Sequence, residues 1–217
     1  MRPYQYTTTA LQSADDNGIA LTQTPLAAGA LTLAGVLVSG GVATITPAAF
    51  ITATFAGNDA GRTLTIVGTS PEGWAQTATL AGANIGVSTG TVAFATVTSV
   101  SIDAASAGAI IVGIAQAGYG EWLPLDIFVP NYLTSIQTTP IGTINYTWEV
   151  TDDNIWGTGT APPNPSNITA FDHPDANLVA ETAAKYGTTV IPWRAVRFKV
   201  NSGSGTARNV VMQQSTQ

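Results

Sequence analysis

The feature that most limits how this chain can fold is a series of short stretches in which apolar residues alternate with threonine. TLTIVGT (63–69), AQTATLAG (75–82) and VAFATVTSVSI (92–102) follow this two-residue period, which places alternate side chains on opposite faces of a β-strand. Turn-forming sequences rich in Gly, Asn, Asp and Pro separate the stretches, at residues 57–61, 70–73, 82–84 and 86–90. The pattern predicts an all-β fold of sandwich or barrel type with short strands and little helix, apart from a short helix considered at 47–51.

A shift in composition near residues 116–122 predicts two modules. The first 116 residues contain seven charged side chains and one tryptophan, whereas the remaining 101 contain thirteen and four. We predict an extended N-terminal arm at 1–18, an N-terminal β-module at 19–117 and a C-terminal β-module at 118–217. In the second module, WLPLDIFVPNYL (122–133) and INYTWEVT (144–151) are the first predicted strands, and a loop rich in Pro and Gly follows at 152–167.

Charge is unusually sparse, and this limits the classes of partner. Charged residues make up 9% of the chain, against about 25% in ordinary soluble domains, so threonine, serine, amides and glycine must hydrate the surface. Such a surface has little electrostatic protection against association, which favours an assembly. Seven Lys and Arg residues and a net charge of −6 make nucleic acid a poor partner. The absence of cysteine excludes disulfides and thiolate metal sites.

No segment predicts export or membrane insertion. The N-terminal sequence has an arginine but no apolar core after it, so it does not resemble a secretory signal, and synthesis in the cytoplasm is expected. Residues 26–55 carry no charge, but Gly, Thr, Ser and Pro interrupt them every few residues. This composition argues against a membrane span.

The residues that could carry chemistry do not form a recognisable motif. His173, the one histidine, is flanked by Asp172 and Asp175, which could form a metal site with Asp152 and Asp153 or a histidine base oriented by a carboxylate. Neither arrangement has a known spacing, and an Asx-rich turn explains the same residues. We therefore predict no catalytic residue, no metal site and no cofactor.

The stretch IPWRAVRFKVNSG (191–203) predicts a half-buried strand. Val196, Phe198 and Val200 fall on one face, and Arg197 and Lys199 fall on the other. The second face is either solvated or an interface in which the two cations meet carboxylates of a neighbouring subunit.

Two long segments resemble virion proteins of tailed bacteriophages. The first is AGNDAGRTLTIVGTSPEGWAQTATLAG with FATVTSVSIDAASAGAIIVG, and the second is FDHPDANLVAETAAKYGTTVIPWRAVRFKVNSGSGTARNVVMQQ. The resemblance covers about residues 52–114 and 141–214 and rests on turns and strands; it departs at Trp193 and at Arg208-Asn209. It implies a virion component without catalytic activity, most plausibly a capsid decoration or cement protein on the capsid surface that binds the major capsid protein.

Two further functions stay open on the residues alone. A β-module of a tail or fibre could bind host carbohydrate through exposed aromatic rings, with Trp122, Trp148, Trp156 and Trp193 as candidates; of these, Trp148 is expected in the core and Trp156 at the surface. A polysaccharide hydrolase would require paired acids, for which Asp152, Asp153, Asp172 and Asp175 are available without a fixed geometry.

Self-association is also expected, with a trimer favoured. Interface residues are predicted where Tyr, Trp and Arg occur in an otherwise polar sequence, because these side chains are common interface anchors. The predicted interface residues are Arg2, Tyr4, Tyr6, Trp156, Trp193, Arg197 and Lys199.

Overall fold

A computed structural model describes residues 4–8, 10–128, 132–156 and 168–215. It confirms the predicted all-β fold: within the described residues there is no α-helix, and a 3₁₀ turn at Ala176–Leu178 is the helical segment. The strands are β1 (Tyr4–Thr8), β2 (Asp15–Gln23), β3 (Gly29–Ala30), β4 (Val38–Ser39), β5 (Val42–Asn58), β6 (Thr63–Thr69), β7 (Ala75–Ala81), β8 (Asn84–Ile102), β9 (Ile110–Ile114), β10 (Gly118–Tyr119), β11 (Leu123–Pro124), β12 (Tyr132–Ile141), β13 (Asn145–Thr151), β14 (Phe171–Asp172), β15 (Lys185–Thr189), β16 (Ala195–Ser202) and β17 (Thr206–Ser215).

The chain divides into two compact units. The first unit contains Met1–Leu11 and Tyr119–Gln217, and the second contains Gln12–Gly118. The segment predicted as an extended arm at 1–18 is split between them. Tyr4–Thr8 pairs with the last strand, from Tyr4 opposite Val211 to Thr8 opposite Ala207, whereas Asp15 already begins β2. Strand pairing gives the N-terminal backbone a hydrogen-bonding partner within its own chain.

The unit formed by Gln12–Gly118 contains one eight-stranded sheet with the order β2-β9-β5-β8-β6-β7, to which β3 and β4 add short pairings. Strands β5 and β8 are 17 and 19 residues long and pair antiparallel. The helix considered at 47–51 and the turn expected at 86–90 are therefore strand instead. Backbone pairing to a neighbouring strand outweighs the local preference of glycine and proline for turns, since Gly86 lies opposite Phe55.

Side chains from most of these strands share one apolar core. Ile51, Phe55, Leu64, Phe94 and Val100 are each at most 1% exposed and belong to the same cluster. Close backbone approach requires glycine at several positions in this unit; at Gly113, for example, a Cβ would collide with the backbone carbonyl of Asp15 on the neighbouring strand β2.

The unit containing both chain ends is a sandwich of two sheets. One sheet has the order β1-β17-β12-β15, and the other has the order β10-β16-β13-β14 with β11 paired to β16. Their facing side chains form a second core, in which Ile136 and Val211 of the first sheet cluster with Tyr146, Trp148 and Phe198 of the second. The predicted strand at 144–151 is β13, and it is almost entirely buried on both faces. One face packs in this core. The other carries polar side chains, which need hydrogen-bonding partners because they are buried.

Candidate functional site

The polar face of β13 carries a buried ion cluster. Glu149 lies opposite Arg197 in the β13–β16 register. Its Oε2 accepts from both Nε and Nη2 of Arg197 at 2.6 Å, and its Oε1 accepts from Nζ of Lys199 at 2.8 Å. The Glu149 side chain is 7% exposed. Each carboxylate oxygen thus has a cationic donor, as a buried carboxylate requires.

Two aromatic rings complete the environment of the arginine. The Arg197 guanidinium carbon lies 3.6 Å from the ring centroid of Tyr119 and 4.4 Å from that of Trp122. Both distances are within the range of cation–π attraction. Trp122 is 6% exposed, so it closes the cluster against water and is not a ring presented for ligand stacking.

This geometry changes the interpretation of the basic strand. The predicted alternation is confirmed on the apolar face, because Val196, Phe198 and Val200 are at most 3% exposed. From sequence, Arg197 and Lys199 were expected either to be solvated or to meet carboxylates of a neighbouring subunit, whereas in the structure both cations pair with Glu149 of the same chain. Sequence reasoning missed Glu149 as their partner. The available signal was one acid in the buried strand INYTWEVT and two cations two residues apart in another strand.

His173 lies in the interior with one ring nitrogen occupied. The residue is 3% exposed, its backbone N–H donates to Trp148 O at 2.8 Å, and its Nδ1 accepts from the Asp175 N–H at 3.1 Å. The neutral ring therefore carries its proton on Nε2, which is buried and has no hydrogen-bond partner within the described part of the chain. Burial lowers the pKa of His173, and the nearby Asp175 offsets part of that effect.

Two of the four carboxylates considered for chemistry, Asp153 and Asp175, hold loops in place. Asp175 caps the 3₁₀ turn by accepting from the Asn177 N–H at 3.0 Å, and its other oxygen accepts from the Thr188 N–H at 3.1 Å. These hydrogen bonds lower the pKa of Asp175. Asp153 accepts from the Thr169 N–H at 2.6 Å and so closes the base of the loop. Among the described residues, no three His, Cys, Asp or Glu side chains are grouped to hold a metal ion.

The remaining candidate tryptophans and predicted interface residues fall into different environments. Trp148 is in the core and Trp156 is 70% exposed, as expected, while Trp193 is half-buried and packs against the second core. Arg2 lies outside the described residues, as does 157–167 of the predicted loop. Tyr4 and Tyr6 are described only as backbone positions of β1.

Several large apolar side chains are exposed on segments attached to one end of β13 and β16. Phe171 pairs with Val150, and the Arg194 N–H donates to Thr151 O at 3.0 Å; the Leu125 N–H donates to Arg194 O at 2.8 Å. The apolar residues that these segments carry form what we call the apolar loop end: Phe128 (88% exposed), Trp156 (70%), Phe171 (55%), Val190 (72%) and Ile191 (43%). All five side chains lie on segments that adjoin the same end of two paired strands, and exposed apolar side chains mark an interaction site where they are contiguous.

The fold and this surface define an all-β chain of two antiparallel units with an apolar loop end on one of them. No protein-family model, curated protein or solved structure matches the chain. In the part of the chain that the structure describes, no helix has both the length and the apolar character needed to cross a membrane.

Acidification is expected to destabilise the fold through His173. Because burial lowers the pKa of His173 below its ordinary 6.5, the unfolded chain binds the proton more readily, and stability declines as the pH falls below that value. We expect the urea midpoint to fall between about pH 7.5 and about pH 5.5, and to fall less in His173→Gln. Asp175 does not contribute in this window, since its pKa lies below 3.8. If the urea midpoint declines equally in the wild type and in His173→Gln, His173 is not the source of the pH dependence.

Proposed function

We propose that this chain is a virion structural protein of a tailed bacteriophage, a capsid decoration or cement protein that binds the major capsid protein at the outer surface of the capsid. The observation that carries the proposal is the apolar loop end, where Phe128 and Trp156 expose most of their surface to solvent. Apolar side chains in such a position are stabilised when a partner protein covers them. The chain would be synthesised in the host cytoplasm and added to the particle.

The segments on which the resemblance to phage virion proteins rests support the same proposal. They coincide with the hairpin β6–β7, with much of β8 and β9, and with β16 and β17. These elements supply backbone ladders and core side chains in both units. A rigid β-scaffold present in many copies can reinforce a lattice by adding modest contacts at each site, because repeated weak contacts act together.

Immunogold electron microscopy of particles from the source culture tests the location. An antibody raised against the folded chain is expected to label the capsid surface, in a number of copies that follows the lattice. Particles lacking the chain are expected to release their DNA at a lower temperature. Particles without any label would contradict a virion role.

A second function is favoured by one observation, the exposure of Trp156. Its ring is 70% exposed, and the exposed carboxylate of Asp152 lies four residues earlier. An exposed ring can stack on a sugar face, and an exposed carboxylate can accept hydrogen bonds from hydroxyl groups. Label at the tail or its fibres, together with glycan binding that Trp156→Ala abolishes and Trp193→Ala retains, would favour this carbohydrate-binding function over capsid decoration.

A further inference from the structure

Strand β7 lies at an edge of the eight-stranded sheet. Within the described residues β7 pairs with β6 and with no other strand. The pairing runs without a register shift from Thr63 opposite Ala81 to Thr69 opposite Ala75. An edge of this kind presents a row of N–H and C=O groups to any chain that can pair with it.

The outward-facing backbone groups can be assigned from the two ends of the hairpin. The Gly82 N–H donates to Arg62 O and the Ser70 N–H donates to Trp74 O, both at 2.8 Å. These pairs continue the β6–β7 register by one position at each end. Because hydrogen-bonded and non-bonded pairs alternate in an antiparallel ladder, the even-numbered residues of β7 bond to β6. The N–H and C=O groups that point away from β6 therefore belong to Ala75, Thr77, Thr79 and Ala81.

These same four residues also have exposed side chains, and none of the four is large. The usual devices that protect an edge are absent from β7, since its sequence AQTATLA has no charge and no proline. The opposite edge of this sheet, β2, begins with Asp15 and Asp16. Charge would therefore oppose the approach of a second copy at β2 but not at β7.

The sequence of β7 is close to symmetric about Ala78. An antiparallel copy rotated about that residue would place Ala75 opposite Ala81 and Thr77 opposite Thr79. The two-fold axis repeats each of these two pairs, which gives four pairs of outward-facing residues. Each such pair forms two backbone hydrogen bonds, so the ladder would contain about eight. Threonines opposite each other on one face are a favourable cross-strand pair.

The surroundings of β7 suit a strand better than a small molecule. A pocket of about 30 Å³ adjoins β7 and is lined by Ala78, Thr79 and Leu80 of this strand, by Gly90, Thr91, Val92 and Phe94 of β8, and by Ile51 and Ile66 of the core. Ligand pockets for small molecules are roughly ten times larger. We propose that β7 pairs with β7 of a second copy of this chain, which joins the two eight-stranded sheets into one continuous sheet.

This contact is isologous and closes at two copies, so it differs from the predicted trimer; if trimers also form, it would join neighbouring trimers. The proposal rests on the geometry of β7 alone and does not depend on a role in a virion.

Charge substitutions at the paired threonines test the proposal, because the two-fold axis brings Thr77 of one copy to Thr79 of the other. In the variant carrying Thr77→Lys and Thr79→Lys, lysine would face lysine, and the same holds for glutamate in Thr77→Glu with Thr79→Glu. We expect sedimentation of the wild type at about 1 to 100 µM to show a dimer, and each double variant to have a dissociation constant at least about tenfold higher. An equimolar mixture of the two variants should restore the dimer.

The matched control carries Thr22→Lys and Thr24→Lys, two exposed threonines with the same spacing on β2 and just beyond it. It should associate as the wild type does. A monomeric wild type, a lysine variant that dimerises normally, or a mixture that stays monomeric would overturn the proposal. Should the variants fail to fold, hydrogen exchange of the wild type decides: amide protection of Thr77 and Thr79 that rises with concentration supports the contact, and protection independent of concentration overturns it.

Discussion

Replacement of Glu149 by alanine is expected to destabilise the unit that contains both chain ends by about 3 to 5 kcal/mol. The substitution removes the carboxylate that accepts from Arg197 at 2.6 Å and from Lys199 at 2.8 Å. Arg197 is only 12% exposed, so its charge would stay in a poorly hydrated site without its anion. Removing one partner of a buried ion pair lowers stability by more than the intact pair contributes, because the charge that remains is buried without water or a counter-ion.

The chain provides a matched control for this substitution. Glu181 pairs with Lys185 at 3.5 Å, but these side chains are 25% and 35% exposed, so Glu181→Ala should change stability by at most about 1 kcal/mol. Thermal and urea unfolding of the two variants measure the difference. Replacing Glu149, Arg197 and Lys199 together by Leu, Met and Met should recover much of the loss, since no unpaired charge remains. Equal destabilisation by Glu149→Ala and Glu181→Ala would show that the cluster is effectively hydrated.

Strands with one buried face were predicted well from sequence. The stretch predicted at 63–69 matches β6 to the residue, and the stretch predicted at 75–82 exceeds β7 by one residue, because one face packs on the core and the other meets solvent. The lengths of β5 and β8 could not be predicted in this way. Their glycines and Pro47 have turn propensity, and only pairing with a distant strand keeps those residues extended.

Long-range pairing also explains what sequence reasoning missed elsewhere. Strand β1 pairs with β17, about 200 residues away, and a segment of five residues carries no local signal for that partner. The strand containing Arg197 was predicted from its period, but its partner Glu149 is 48 residues away in sequence. Their contact depends on the register between β13 and β16, which neither strand specifies alone. Solvent exposure of Trp156 and burial of Trp148 were predictable, because one lies in a loop and the other in a regular strand.

Replacement of Trp148 by alanine is expected to cost about 3 to 5 kcal/mol, in the range of large-to-small substitutions of buried aromatic residues. The ring is fully buried and meets Phe198 edge-on at 5.5 Å between centroids. Its Nε1–H donates to Thr138 Oγ1 at 2.8 Å, and that hydroxyl donates to Asn209 Oδ1 at 3.0 Å. Because Thr138 and Asn209 belong to the other sheet of the sandwich, the alanine variant loses both core volume and a polar link between the two sheets.

Two further variants separate these contributions. Trp148→Phe keeps most of the apolar volume but removes the Nε1 donor, so we expect a smaller loss of about 1 to 3 kcal/mol from the hydroxyl that loses its donor. Trp156→Ala removes the same kind of ring from a position that is 70% exposed, and its free energy of unfolding should stay within about 0.5 kcal/mol of that of the wild type. Tryptophan fluorescence and urea unfolding measure all three. Trp148→Phe restores most of the packing that Trp148→Ala removes. If both variants are equally destabilised, the hydrogen bond between the sheets contributes more to stability than the packing of the ring.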